Sequence, residues 1–413
     1  MLTKIAFLRK ALRRRKMNKA FWLNGLIAML LFSLLLPNKA VAAPPGIDTS
    51  AVGAALIDVQ SGRILYSKKG DVPMRIASLT KVMTAIVAIE HGNLSSTVKV
   101  SKNAFGKEGS SLYLKLGEEM SLHNMLYGLM LRSGNDAATS IAEHIGGSVE
   151  GFVHMMNEKA ALLGMDNSHF INPSGLDDGD GHLSSAHDMA KLTAYALKNP
   201  IFQEIVKTKQ KKVPNPNEKW DYVWFNKNKM LALFEGADGV KTGYTKLAKR
   251  TLITSATRNG QQLVVVTLND SNDWADHARL FKYGFDHFPL QSLVTKGEPV
   301  DSSGGVAGRS FSYPLYQEEV GQVTKQIQQL KPDSTAYRLG DRGSLQLLLG
   351  GKIIETIPLY APDSRKLTAK EQSAFFFKET DAYHKSAFLA YLNVLEIVLQ
   401  QLFTPSGFKP QGG

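Results

Sequence analysis

Apolar residues recur at two different periods along the chain. From 52 to 59 and from 63 to 67, apolar and β-branched residues flank Gln60-Ser61-Gly62, which predicts a hairpin. A mostly helical stretch is predicted from 78 to 199. Apolar residues recur there at helical spacing, as in Leu122, Met125, Leu126, Leu129 and Met130, and in Phe152, Val153, Met156, Ala160 and Leu163. Gly146-Gly147 and Gly164 stand where helix stops are expected. Strand patterning resumes at 239–244, 252–257 and 263–268, with Asn259-Gly260 as a hairpin turn between the last two. A helix is predicted over 273–283. Strands at both ends with helices between imply one α/β domain over 47–285, its sheet completed by distant pieces of chain and its helical lobe inserted. A cleft between lobe and sheet is the expected place for a site.

The texture changes after Pro289. Residues 290–380 begin with a Val, Thr, Gly, Ser and Gln-rich stretch with short apolar runs at 345–349 and 353–359, which reads as a small all-β domain. Over 385–403, Asn393, Glu396 and Gln400 form one narrow polar stripe on an otherwise apolar helix. That pattern suits an amphipathic C-terminal helix lying on a membrane surface.

Composition narrows the class. The chain is 43% hydrophobic, enough for a substantial core, and its formal charge is +12. Residues 1–42 hold nine Lys or Arg and no Asp or Glu, so subtracting those nine leaves +3 on the rest. The basicity belongs to the leader, and nucleic-acid binding is not expected. The same leader has a basic stretch, an apolar run from 21 to 36 and the small residues Ala40-Val41-Ala42. This is the layout of a secretory signal peptide and predicts export. The absence of cysteine excludes disulfides, thiol catalysis and thiolate metal sites.

Three short elements carry the candidate chemistry. Ser-x-x-Lys occurs at Ser78 and Lys81 and again at Ser96 and Lys99. Ser96 lies in a polar turn, whereas Ser78 opens an apolar helical run, so its hydroxyl and the Lys81 amine share one face. A serine needs an adjacent base, and a lysine whose pKa is lowered by burial or a neighbouring cation can serve. Ser133-Gly134-Asn135 interrupts the helical pattern and offers a hydroxyl and an amide. Lys241-Thr242-Gly243 lies in a strand introduced by Asp238-Gly239. A cation, a hydroxyl and a bare backbone suit an edge strand that pairs with an extended peptide and binds its terminal carboxylate. His182, His187 and Asp188 suggest a triad or a metal, but no Gly-x-Ser-x-Gly or His-Glu-x-x-His accompanies them. They are assigned to a helix start and its loop, and no metal or cofactor is expected.

Taken in order and with their flanks, Ala77-Ser78-Leu79-Thr80-Lys81-Val82-Met83-Thr84, Leu131 to Ala138, Asn172 to Asp177 and Asp238 to Thr245, these elements resemble low-molecular-mass penicillin-binding proteins of the D-alanyl-D-alanine carboxypeptidase family. The resemblance implies a penicillin-binding/β-lactamase-like fold with an antiparallel sheet. It implies Ser78 as the acylated nucleophile, Lys81 as its base and Ser133 as a proton relay. Asn135 would hold the substrate amide or Lys81, and Lys241, Thr242 and Gly243 the substrate strand and its carboxylate. Backbone N–H groups of Ser78 and Tyr244 would form the oxyanion hole. The implied partners are peptidoglycan stem peptides and, as covalent inhibitors, β-lactams, at the outer face of the cytoplasmic membrane. The chain departs from the family pattern at Lys249, commonly glycine, and at Thr251, commonly cysteine.

The alternatives are a D,D-endopeptidase, a β-lactamase and a non-catalytic β-lactam sensor or scaffold. A class A β-lactamase deacylates with a glutamate in a Glu-x-x-x-Asn pattern after the second element. None of the glutamates between Ser133 and Lys241 is followed four places on by asparagine.

Overall fold

In the computed structural model, residues 44–300 and 304–368 are described. The leader expected over 1–42 and the helix expected over 385–403 lie outside the described residues, as does the end of the 290–380 segment.

Strands β1 (Gly53–Asp58) and β2 (Ile64–Lys68) are joined by a turn that Asp58 organises. Its carboxylate accepts from the Ser61 N–H at 2.8 Å and the Ser61 hydroxyl at 2.6 Å, and Gly62 takes a positive φ. Strands β3 (Ala237–Thr245), β4 (Lys249–Arg258) and β5 (Gln261–Leu268) complete an antiparallel sheet of order β2-β1-β5-β4-β3. The β4–β5 turn has φ of 50° at Asn259 and 77° at Gly260, the left-handed pair that a tight hairpin needs. β3 is therefore an edge strand. Asp238-Gly239, expected as a turn before it, lies inside the strand, where the register slips between Ala237 and Gly239. The apolar run of β5 had hidden its two-sidedness. Val264 and Val266 face one core with the helical lobe, while Leu263 and Val265 face another with Leu280 and Phe281.

Between β2 and β3 the chain forms α1 (Lys81–His91), α2 (Leu122–Tyr127), α3 (Asn135–Gly146), α4 (Val149–Leu162), α5 (Ala186–Ala196) and α6 (Pro200–Lys207). Gly147 and Gly164 take positive φ just beyond α3 and α4. Ser148, Ser185 and Asn199 cap α4, α5 and α6 by accepting backbone N–H groups. The lobe is less helical than its apolar spacing predicted. Thr97–Lys99 pairs with Glu119–Ser121, and 163–185 runs without a helix. That second segment is tied down by backbone pairs between His169 and Leu183 and between Met74 and Ser184. Helix α7 (Asp273–His287) covers the far face of the sheet and extends one turn past the expected end.

The chain divides into two compact units, and the division is not linear. Tyr313–Gln322 belongs to the first unit, where the Pro314 carbonyl and the Glu319 carboxylate both accept from the Arg63 guanidinium at 2.5 Å. The second unit contains β6 (Val306–Ala307), β7 (Val323–Gln329), β8 (Asp341–Leu349) and β9 (Lys352–Tyr360), antiparallel in the order β6-β9-β8-β7. The apolar runs at 345–349 and 353–359 supply its core, including Leu345, Leu347, Ile357 and Leu359.

Candidate active site

Ser78 does not cap α1. It lies in a 3₁₀ turn, Ala77–Thr80, that leads into the helix, and Ala77 has φ of 50°. In a 3₁₀ turn residues three apart eclipse, so the Lys81 side chain stands over Ser78. The Lys81 Nζ is 3.0 Å from the Ser78 hydroxyl oxygen, 2.7 Å from Asn135 Oδ1 and 2.6 Å from the Ser174 carbonyl oxygen. Lys81 is fully buried. Burial, followed by the Lys241 and Lys227 cations, holds its amine well below the usual lysine range.

The second element follows from helix geometry. Gly128–Arg132 widens into a π turn that cannot continue as α-helix, and Ser133 ends it in the left-handed region at φ 65°. α3 then restarts at Asn135. The Ser133 hydroxyl is buried and has no hydrogen-bond partner among the described residues. Asn135 is oriented by its Nδ2, which donates to the Glu108 carbonyl at 2.5 Å, leaving Oδ1 for Lys81.

On edge strand β3, Lys241 is buried, its amine donating to the Thr242 carbonyl at 2.7 Å. Burial, then Lys227, lowers its pKa to about 7. Thr242 is half-buried and Tyr244 exposed. Gly243 is constrained from inside the protein. A Cβ there would come within 2.4 Å of Thr251 Oγ1 and 3.1 Å of the Ser78 nitrogen.

The remaining candidates separate. The Ser96 hydroxyl is exposed and turns to the Asn93 carbonyl and His144. His187 pairs with Asp71, while Asp188 in the first turn of α5 accepts from Asn167 N–H and the Ser168 hydroxyl. His182 is not an ordinary loop residue, since it is buried and its Nε2 is 2.7 Å from the Thr80 hydroxyl. Ser174 lies within the Asn172 to Asp177 segment. Its contribution is a backbone carbonyl, for which no side chain provides a signal. Lys249 adopts φ of 58°, which explains why glycine suits that position, and Thr251 donates to the Ile76 carbonyl at 3.1 Å.

The model of the D-alanyl-D-alanine carboxypeptidase family of peptidases matches residues 38–272. The chain is 31% identical over 372 residues to D-alanyl-D-alanine carboxypeptidase DacF of Bacillus subtilis, covering 83% of this chain and 95% of that protein. It is 30% identical to DacC of Escherichia coli, over 87% of this chain and 94% of that one. The crystal structure of the carboxypeptidase DacD from Francisella tularensis superposes with a TM-score of 0.61 at 26% identity, covering 80% of this chain and 97% of that one. An alanine mutant of the Streptomyces K15 DD-transpeptidase gives 0.55 at 32% identity, over 58% of this chain and the whole of that one. With a serine hydroxyl set on a buried lysine beside a lysine-bearing edge strand, and with these matches, the chain belongs to the D-alanyl-D-alanine carboxypeptidase family of serine peptidases.

Proposed function

We propose that the protein removes the terminal D-alanine of peptidoglycan pentapeptide stems, outside the cytoplasmic membrane, through an acyl-enzyme on Ser78. The observation that carries this reading is the environment of the Lys81 amine. Asn135 Oδ1 and the Ser174 carbonyl can only accept hydrogen bonds. They take the two hydrogens of a neutral amine and direct its lone pair at the Ser78 hydroxyl. Burial without a carboxylate partner favours that neutral form.

The substrate lies as an extra strand along β3, its terminal carboxylate held by Lys241 and Thr242. Lys81 takes the Ser78 proton as the oxygen attacks the penultimate D-Ala carbonyl, and the Ser78 and Tyr244 N–H groups receive the oxyanion. When the C–N bond breaks, the proton on Lys81 passes through the Ser133 hydroxyl to the departing D-alanine amine. Water then enters the space that D-alanine left. Lys81 takes a proton from it, the ester C–O bond breaks, and Ser78 recovers its hydrogen. β-Lactams acylate the same oxygen, because the lactam mimics the acyl-D-Ala-D-Ala backbone. The polar stripe at 393, 396 and 400 supports a membrane-lying helix over 385–403 that holds the enzyme to that surface.

The test is mass spectrometry of pentapeptide muropeptides after incubation with the enzyme, together with peptide mapping of penicillin-labelled protein. Loss of one alanine and a label on Ser78 are expected. A label on Ser96, or cleavage only of cross-linked dimers, would overturn the reading.

A further inference from the structure

Behind the turn that carries Ser78, three groups form a buried relay that ends on the peptide bond joining Ala77 to Ser78. The Ile171 N–H donates to His182 Nδ1 at 3.2 Å, so that nitrogen carries no proton. The proton is then on Nε2, which lies 2.7 Å from Thr80 Oγ1 and donates to it. The Thr80 hydroxyl spends its own hydrogen on the Ala77 carbonyl at 2.9 Å. Thr80 is fully sequestered from solvent and His182 nearly so. Phe170 packs edge-on against the imidazole at 5.7 Å between ring centroids. The chain of donors has one consistent direction, and every polar atom in it has a partner.

The direction matters because a trans peptide points its carbonyl and its N–H opposite ways. A threonine bonding three residues back is ordinary at a helix start, but here the histidine fixes the hydroxyl rotor as well. Gly175 packs against the same bond, since a Cβ there would lie 1.8 Å from the Ala77 carbonyl oxygen and 2.7 Å from Thr80 Oγ1. Ala77 has the left-handed φ that an L-residue resists by roughly 1–2 kcal/mol. We infer that His182, acting through Thr80, is a positioning residue for catalysis: it holds the Ala77 carbonyl inward and so aims the Ser78 N–H at the developing oxyanion.

This rests on Ser78 being the acylated residue, and the two fail differently. If penicillin does not label Ser78 in the unmodified enzyme, the functional reading falls. If it does, the relay is tested by His182→Leu, His182→Gln and Thr80→Val in the full chain. Leucine removes the donor, glutamine places an N–H near Nε2, and valine keeps the shape of Thr80 without its hydroxyl. Removing an oxyanion donor outright costs roughly 10²–10³ in rate, so misaiming one should slow penicillin acylation by about tenfold or more in His182→Leu and Thr80→Val. His182→Gln should recover most of that. A role confined to stability would not move the infrared band of the acyl-enzyme ester carbonyl, followed with isotopically labelled penicillin. That band should shift to higher frequency in His182→Leu and Thr80→Val, as donation to the carbonyl weakens, and return in His182→Gln. Should His182→Leu fail to fold, Thr80→Val carries the test alone. Unchanged acylation and an unchanged carbonyl band in a folded Thr80→Val protein would overturn the inference.

Discussion

The Thr251 hydroxyl on β4 donates to the backbone carbonyl of Ile76, 3.1 Å away, through space that a side chain on Gly243 would need. The bond joins the sheet to the turn that presents Ser78. Its loss in Thr251→Val leaves the Ile76 carbonyl, among the described residues, with the Leu79 N–H at 3.2 Å. A buried hydrogen bond of this kind contributes about 0.5–1.5 kcal/mol. Thr251→Val should therefore lower the midpoint of thermal unfolding by a few degrees, and Thr251→Cys by less, because a thiol still donates weakly. Calorimetry on the two variants decides this. Equal midpoints for valine and threonine would show that the hydroxyl does not brace the turn.

Gly243→Ala tests the same contact from the other side. Its Cβ would meet Thr251 Oγ1 at 2.4 Å and approach the Ser78 nitrogen to 3.1 Å, and neither the short threonine side chain nor the backbone can swing away. The strand must shift, moving Lys241 and the Tyr244 N–H relative to Ser78. Acylation by penicillin is expected to fall by roughly a hundredfold, the scale of losing one oxyanion donor, while circular dichroism stays native. Stopped-flow acylation at the unmodified rate would contradict this account of Gly243.

Lys249 carries strain that glycine would relieve. At φ 58° a lysine Cβ crowds its own backbone by roughly 1–2 kcal/mol. Part of the gain in Lys249→Gly is offset by the greater freedom of glycine in the unfolded chain. A net stabilisation of up to about 1 kcal/mol is expected, read as a higher urea midpoint with an unchanged slope. A lower midpoint would mean that the lysine side chain makes a compensating contact.

The pH dependence follows from two buried amines with opposite requirements. Lys81 must be neutral to accept the Ser78 proton, so kcat/KM rises as pH rises through its depressed pKa. In the proposed mechanism Lys241 must be charged to hold the substrate carboxylate, and burial sets its pKa at about 7. Its cation is present below that value and lost above it, so kcat/KM in the free enzyme declines on the alkaline side. Bound carboxylate stabilises the cation, so the alkaline limb should be weaker or displaced upward in kcat. The Lys227 charge lowers the Lys241 pKa, and Lys227→Met should move the alkaline limb of kcat/KM to higher pH. A limb unmoved by this substitution would assign it to another group.

The parts of the site read from side chains were legible in the sequence, and the parts made of backbone were not. Ser78, Lys81, Ser133, Asn135 and Lys241 stand in three short elements whose order and flanks marked them as candidates. The Ser174 carbonyl that orients Lys81 has no side-chain signature, and the positive φ of Ala77 is carried by a residue that rarely adopts it. His182 looked like a loop histidine because its burial depends on the Met74–Ser184 and His169–Leu183 pairs, which join distant segments. The strands of the first sheet were readable from apolar and β-branched runs and from Asn259-Gly260. The return of Tyr313–Gln322 to the first unit was not, because it rests on Arg63 bonding Pro314, 251 positions away in sequence.

A penicilloyl adduct on Ser78 should persist for minutes or longer. Class A β-lactamases hydrolyse it with a glutamate that positions water, and Asp136, the carboxylate whose field reaches Lys81, is committed elsewhere. Its two oxygens accept from the Leu112, Leu114 and Ala137 N–H groups and from the Ser111 hydroxyl. In the proposed mechanism deacylation therefore falls to Lys81. For the peptide acyl-enzyme that suffices, because D-alanine has departed and water can take its place. The penicilloyl group keeps its leaving amine tethered beside Ser133, where it blocks the water and can recapture the carbonyl. A barrier increase of about 4 kcal/mol corresponds to roughly a thousandfold in rate. D-Alanine release from a D-Ala-D-Ala peptide should consequently run many turnovers in the time one penicillin adduct survives, measured by intact-protein mass spectrometry alongside product assay. Rapid catalytic penicillin hydrolysis with no D-alanine released would instead require a deacylating base other than Lys81.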